Sequence, residues 1–294
     1  MSANPVIIEV AINGATTKDV NPNVPITPEE IAADALACMG AGAAVVHNHV
    51  DMLGDDETVA ARYVEGWQPI LAERPDALVY PTVAFGPRGE IGYSHLEPLG
   101  RSGLPRLAAV DPGSTNLGRL GPDGVPGGDF VYRNSYATIS HAFGLCSEWG
   151  LGPSLAIYEP GWLRTALLFW EAGRLPKGAM LKLYLATPRG LTGTPFGMPP
   201  TAAALDAYLE ILGDCPVPWA VSVVGGDAVA TEVTGLALER GGHLHVGLEF
   251  FGGERTPTIV ELATEAVALC ERVGREVASP AQAASILDLS LIHI

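Results

Sequence analysis

The chain has 294 residues, of which 48% are hydrophobic and 17% are charged, and its formal net charge is −16. This composition excludes a disordered chain, and the length fits a single α/β barrel domain spanning residues 1–294. A surface this acidic repels phosphate backbones and anionic lipid, so we expect neither nucleic acid nor a membrane as a partner.

Short apolar runs alternate along the chain with longer segments of helical spacing. Eight runs rich in Val, Ile, Leu and Ala are typical of strands that are covered on both faces. They are residues 6–14, 43–50, 77–86, 106–113, 154–160, 180–187, 219–226 and 243–250. Eight strands with helices between them predict a closed (β/α)8 TIM barrel, and the absence of GxGxxG after the first strand disfavours a dinucleotide-binding fold.

Capping residues mark two of the intervening helices. The first helix is predicted to begin after Thr27 and to end at Gly40. The last long helix is predicted to begin at Thr256 or Thr258 and to end at Gly274.

Three segments break the alternating pattern. Residues 114–135 are rich in Gly and predict a long excursion after strand four that contains a small hairpin. Residues 187–197 are either a flexible loop or a loop that cradles a polar ligand with backbone N–H groups. The apolar tail, residues 289–294, is interpreted as a packed terminus or as sequence foreign to the fold.

The location of the protein is predicted from its cysteines and its first residues. The four cysteines are far apart and form no CxxC pair, which is typical of buried, reduced thiols. The sequence has no basic leader and no run of about 18 apolar residues. We therefore expect a cytoplasmic protein.

Two histidines, His47 and His49, end the second predicted strand. Alternate residues of a strand share a face, and the carboxyl ends of barrel strands carry the chemistry of this fold. The pair is therefore predicted to share a divalent ion, and Asp51 would follow on the same face if the strand continued. The alternative is a pair of hydrogen-bonded histidines without metal.

An acid near the end of the last strand is the expected third ligand. By the same alternation Glu249 shares a face with His243 and His245, and strand eight lies beside strand one, which adjoins strand two. Two histidines and one carboxylate are typical of a catalytic Zn²⁺ site and also of a non-haem Fe²⁺ site, and we favour zinc. The alternative for Glu249 is an ion pair with an inward Arg or Lys.

A second acid, Glu159, ends strand five just before Pro160. It is predicted to face the metal or a substrate as a base or an anchor. The alternative is an acid at a helix N-terminus, where the helix dipole stabilises negative charge.

Together these motifs resemble the β-keto acid cleavage enzymes, the family that includes the 3-keto-5-aminohexanoate cleavage enzyme. The resemblance covers nearly the whole chain and rests on "AINGATT", "NPNVPITPEEIAADALACMGAGAAVVHNHV", "AAVDPGSTNL", "IYEPGWL", "GGHLHVGLEF" and "GREVASPAQAASIL". It implies a zinc-bearing (β/α)8 barrel that forms a homo-oligomer, a dimer or tetramer. It also implies cleavage of a β-keto acid with an acyl-CoA, which yields acetoacetate and a new acyl-CoA.

The resemblance also implies roles for individual residues. The zinc ligands would be His47, His49 and Glu249, and Glu159 would be catalytic. Thr82, at the end of strand three, would supply a catalytic hydroxyl. Asn116 would contact the substrate. Asp51 is a further candidate for substrate contact because of its place after the histidine pair, and not because of the resemblance.

This sequence departs from the family around those ligands. His245 stands where the family has Arg, Phe250 where it has Asp, and Asp51 where it has a second Arg. Ala109 replaces a Thr, and Thr16 replaces an acid. Proton transfer would then fall to His245 or Glu159, with an altered substrate preference or pH dependence. The departures leave two alternatives open, a metal-dependent hydrolase or lyase without CoA and a non-catalytic ligand-binding member.

Overall fold

A computed structural model describes residues 4–289. Its main sheet has eight parallel strands: β1 (Ile8–Ala11), β2 (Val45–Asn48), β3 (Leu78–Pro81), β4 (Leu107–Val110), β5 (Gly152–Ile157), β6 (Met180–Ala186), β7 (Trp219–Val224) and β8 (His243–Gly247). Neighbours run in the order β3-β2-β1-β8-β7-β6-β5-β4. The backbone N–H of Arg106 donates to the carbonyl of Val79 at 3.2 Å and joins the two ends, so the predicted (β/α)8 barrel is confirmed.

Nine helices occur among the described residues. They are α1 (Pro28–Ala41), α2 (Asp56–Glu73), α3 (Leu96–Ser102), α4 (Tyr136–Trp149), α5 (Pro160–Glu171), α6 (Ala202–Leu212), α7 (Glu232–Glu239), α8 (Ile259–Val273) and α9 (Pro280–Ile286). Thr27 and Thr258 are N-caps, each with a capping box, and Gly274 ends α8 as predicted. The predicted end of α1 at Gly40 is wrong, because the helix continues until Gly42 adopts a φ of 120°.

The barrel interior is layered from bottom to top. At the amino-terminal end of the strands, inward apolar residues such as Ile7, Leu78 and Met180 pack against Ala283 and Leu287 at α9. The outward residues of the strands pack against the helical shell. Polar side chains fill the middle layer, and a cavity opens at the carboxyl ends of the strands. This layering places the candidate site at the end where barrel enzymes carry their chemistry.

Two hairpins stand over the carboxyl ends of the strands. After β3, residues 84–85 pair with residues 91–92. After β4, residues 115–116 pair with 131–132 and residues 119–120 pair with 126–127, which confirms the predicted hairpin. The rings of Phe85 and Tyr132 pack at 5.4 Å between centroids, so the two hairpins touch.

Three further expectations concern the thiols, membrane-spanning helices and the C-terminal tail. All four cysteines are buried and free, as predicted. Within residues 4–289, no helix combines the length and the apolar character that crossing a bilayer requires. Residues 290–294 of the apolar tail lie outside the described residues.

Candidate metal centre

Three side chains converge at the carboxyl ends of β2 and β8. Nε2 of His47 lies 3.3 Å from Oε2 of Glu249, and Nε2 of His49 lies 3.3 Å from Oε1 of the same carboxylate. One ligand atom from each residue falls within 4.8 Å of the other two. The convergence follows from strand order, since β1 pairs with both β2 and β8.

Two residues of the loop after β1 support this arrangement. The side-chain amide of Asn13 accepts from the backbone N–H of His49 at 2.8 Å and donates to its carbonyl at 3.0 Å. Gly14 has a φ of 62°, and a Cβ there would lie 2.5 Å from Cγ of Glu249. Neither residue was predicted from the sequence, because only the folded chain brings the loop against His49 and Glu249.

The electrostatics of the three residues fit a divalent cation. Burial would raise the pKa of Glu249, but His49 and His47 outweigh it and hold the pKa well below its usual range. Burial lowers the pKa of His47, which favours its neutral, metal-binding form. Nε2 of His49 and Oε2 of Glu249 are buried and have no hydrogen-bond partner among residues 4–289. Two imidazoles and an ionised carboxylate with free lone pairs are the donor set of a divalent metal.

The three side chains lie at the floor of a cavity of about 260 Å³. Its wall is an aromatic arc in which successive ring centroids lie 5.0–6.3 Å apart. The arc consists of Phe130, Phe85, Tyr132, Tyr158, Tyr184 and Phe250. The chain has 8 Tyr and 7 Phe, so the cavity takes a large share of them. Such a wall offers a bound ligand largely apolar contact above the floor.

One acid lines the cavity besides Glu249 among the described residues. It is Asp111, which follows β4 and accepts a hydrogen bond from the hydroxyl of Tyr132. Burial raises the pKa of Asp111 to about 6. A carboxyl with this pKa in a cavity can exchange a proton near neutral pH.

An interior cluster formed by Glu9, Tyr80, Lys182 and His245 lies beneath the cavity, and of these four residues only Lys182 also lines the cavity floor. Nζ of Lys182 donates to Oε1 of Glu9 at 3.1 Å and to the hydroxyl of Tyr80 at 2.7 Å. The ring of Tyr80 stacks on that of His47 with 4.5 Å between centroids, so the cluster contacts one of the three predicted ligands. Sequence reasoning missed Glu9 and Lys182, although each is a lone charge within an apolar run.

Two other predicted site residues lie near the three predicted ligands. Thr82 is buried and lines the same cavity as the three predicted ligands. His245 lies below the cavity, where its Nδ1 is 2.9 Å from Oγ of Ser222 and its Nε2 is 3.3 Å from Oε1 of Glu9. Burial, followed by the charge of Lys182, lowers the pKa of His245 to about 3, so the ring is neutral near pH 7. Its catalytic role stays a prediction.

The remaining predicted residues lie away from the cavity floor. Oε1 of Glu159 accepts from Oγ1 of Thr115 at 3.1 Å and from the backbone N–H of Gly197 at 3.0 Å, which ties two loops together. Asn116 is exposed on its hairpin. Asp51 is exposed because β2 ends at Asn48, so the alternation that was to carry it inward stops earlier. The roles of all three stay predictions.

Comparisons with known proteins show the family of the chain. A family model described as beta-keto acid cleavage enzyme matches residues 5–289. The chain is 30% identical to the 3-keto-5-aminohexanoate cleavage enzyme of Fusobacterium nucleatum, over 96% of this chain and 97% of that protein. It is 26% identical to the 3-dehydrocarnitine:acetyl-CoA trimethylamine transferase of Rhizobium meliloti, over 97% of each.

Solved structures support the fold. The apo structure of ObcA superposes with a TM-score of 0.66 at 17% identity, over 91% of this chain and 66% of ObcA. The match across residues 5–289 also confirms the resemblance that the motifs indicated. The chain therefore belongs to the β-keto acid cleavage enzyme family.

Proposed function

We propose that this protein is a zinc-dependent enzyme that cleaves a β-keto acid with acetyl-CoA as its acyl-CoA co-substrate and releases acetoacetate and a new acyl-CoA. The observation that carries the proposal is the convergence of His47, His49 and Glu249 in the cavity of a family member. The names of the relatives support it, since they describe keto acid cleavage and transfer with acetyl-CoA.

The donor set supports the proposed metal chemistry. His47, His49 and Glu249 would hold the ion, and zinc when bound supplies a Lewis acid for a keto oxygen. Glu249 offers one negative charge and the histidines offer none, so the centre keeps a net positive charge toward an anionic substrate. Thr82 lines the same cavity and offers a hydroxyl that orients the keto acid.

Proton transfer is the second task of the site. Asp111 faces the cavity and has its pKa raised by burial, which supports it as the group that takes up a substrate proton at a carboxylate oxygen. Glu159 and His245 remain the candidates that the sequence supplied. The bonds of Glu159 to Thr115 and Gly197 support a role in positioning the two loops.

A second candidate function is a metal-dependent lyase or hydrolase without CoA. His245 and Phe250 favour it, because they replace the Arg and Asp that the family resemblance assigns to proton transfer. Purified protein incubated with β-keto acids, with and without acetyl-CoA, separates the two. Acetoacetate and a new acyl-CoA formed only with acetyl-CoA support the proposal, whereas equal substrate loss without CoA supports the lyase.

Variants test whether the histidine pair is required. His49→Ala should abolish the CoA-dependent product and leave the fold intact, because His49 lies after β2 and outside the packed layers. His141→Ala, at an exposed histidine of α4, is the matched control and should retain full activity. An unfolded His49→Ala protein would instead assign the pair a structural role.

A further inference from the structure

The floor of the cavity carries one basic side chain besides the two histidines. Lys182 lies on β6 and is the only Lys or Arg that lines the cavity among residues 4–289. It is only 3% exposed. Burying an ammonium group costs free energy unless its N–H donors find hydrogen-bond acceptors. The contacts of Lys182 therefore indicate its role.

Two of the three ammonium hydrogens are accounted for. They go to Oε1 of Glu9 at 3.1 Å and to the hydroxyl of Tyr80 at 2.7 Å, and the third makes no hydrogen bond within residues 4–289. Glu9 is fully buried and does not line the cavity, whereas Lys182 does. The ammonium group therefore lies between a buried acid and the cavity, and one of its N–H donors remains available.

The neighbouring histidine cannot supply the same charge. His245 stands where the family has Arg, and its Nε2 lies 3.3 Å from the Glu9 oxygen that Lys182 contacts at 3.1 Å. The ring of His245 is neutral near pH 7. The positive charge beside Glu9 thus comes from Lys182 on β6, and not from a residue of β8.

We propose that Lys182 binds the carboxylate of the keto acid through the ammonium hydrogen that Glu9 and Tyr80 leave free. The inference rests on the proposed function, since a β-keto acid brings a carboxylate into a cavity whose wall is largely aromatic. A carboxylate leaving water needs a charged donor, and a charge-assisted hydrogen bond is the strongest kind available there. Tyr80, stacked on His47, fixes the ammonium group beside the metal centre.

The alternative is that Lys182 only neutralises Glu9. Lys182→Met alone would leave the buried carboxylate of Glu9 without its ammonium partner and would destabilise the fold for that reason. The test therefore uses the double variant Glu9→Gln with Lys182→Met, which removes both charges, and the matched control Glu9→Gln, which keeps the ammonium group. Glu9→Gln with Lys182→Leu is a second neutral pair in case the first does not fold.

Binding is measured by titration calorimetry on zinc-loaded protein. The probes are acetoacetate, which carries a carboxylate, and pentane-2,4-dione, which does not. We expect the Kd of acetoacetate to rise about 10- to 100-fold in the double variant only, the range of one charge-assisted hydrogen bond. The Kd of pentane-2,4-dione should be the same in all three proteins. Equal acetoacetate affinities in all three would overturn the proposal.

Turnover separates this inference from the proposed function. In the double variant the KM for the keto acid should rise by a similar factor, whereas the KM for acyl-CoA should not change. A wild type that binds acetoacetate through Lys182 but forms no acyl-CoA from any keto acid would contradict the proposed function and leave the role of Lys182 standing. An active wild type, together with a double variant whose affinity for acetoacetate is unchanged, would overturn the role of Lys182 and leave the proposed function standing.

Discussion

The floor and the walls of the cavity differ in where their residues lie on the fold. The floor is formed by residues on strands or directly after them, such as His47 on β2 and Lys182 on β6, and both are buried. Much of the wall comes from the hairpins, where Phe85 is 50% exposed and Phe130 is 41% exposed. Paired strands hold chemical groups in fixed positions, whereas loops tolerate substitution. We therefore expect the floor to carry the chemistry and the walls to set the substrate selectivity.

The largest expected effect comes from removing one floor charge. Glu249→Gln should reduce bound zinc from one ion per chain to a trace and lower kcat/KM more than about 1,000-fold, because the Lewis acid supplies several kcal/mol of transition-state stabilisation. Metal analysis and steady-state kinetics measure both. Glu254→Gln makes the same chemical change at an exposed position and should leave both unaltered. Full activity of Glu249→Gln would contradict a catalytic role for a metal held by Glu249.

A histidine at the opposite end of β8 provides the contrast with the floor. His243 is buried, and its Nδ1 accepts from the backbone N–H of Ile7 at 3.0 Å. Burial, followed by the charge of Arg275, lowers its pKa from 6.5 to about 4. The unfolded chain therefore binds more protons than the folded chain between these values, and stability falls as pH falls through this window.

The His243→Asn variant tests that linkage. Asn keeps an acceptor for Ile7 but does not titrate. Between pH 7.5 and pH 5 the free energy of unfolding of the wild type should fall by about 2 kcal/mol because of His243, and the variant should not show this fall. Urea unfolding of both proteins at the two pH values measures the free energies. Identical pH dependence in wild type and variant would show that His243 titrates normally in the folded state.

The wall should respond more weakly and in a different parameter. Phe130→Ala removes a ring at the outer end of the aromatic arc and should raise KM about tenfold for keto acids with long apolar acyl groups. The kcat for short keto acids should stay within about twofold, since the floor is untouched. A large loss of kcat on every substrate would mean that the arc takes part in the chemistry.

How much of this the sequence could predict depends on whether the signal is local. The convergence of His47, His49 and Glu249 could be predicted because strand order in a barrel is regular and because the alternation of β2 and β8 persists just beyond their ends at Asn48 and Gly247. Asp51 lies further past the end of β2 and is exposed, and the sequence does not mark where that strand ends.

The interior cluster and the aromatic arc required the folded chain. Glu9 and Lys182 are visible as lone charges, but their contact depends on which inward residues of β1 and β6 meet across the barrel. The arc depends on how two hairpins fold back over the strands, which no periodicity encodes. Phe250 joins it with a φ of 65°, a conformation that its residue type does not predict.

The central claim is that the floor is a metal centre, and anomalous diffraction tests it most directly. Crystals of the purified protein, measured above and below the zinc absorption edge, should give one peak per chain about 2.0–2.2 Å from Nε2 of His47, Nε2 of His49 and an oxygen of Glu249. Fluorescence from the same crystals identifies the element. A map without a peak there, from protein that still cleaves a β-keto acid, would contradict the account.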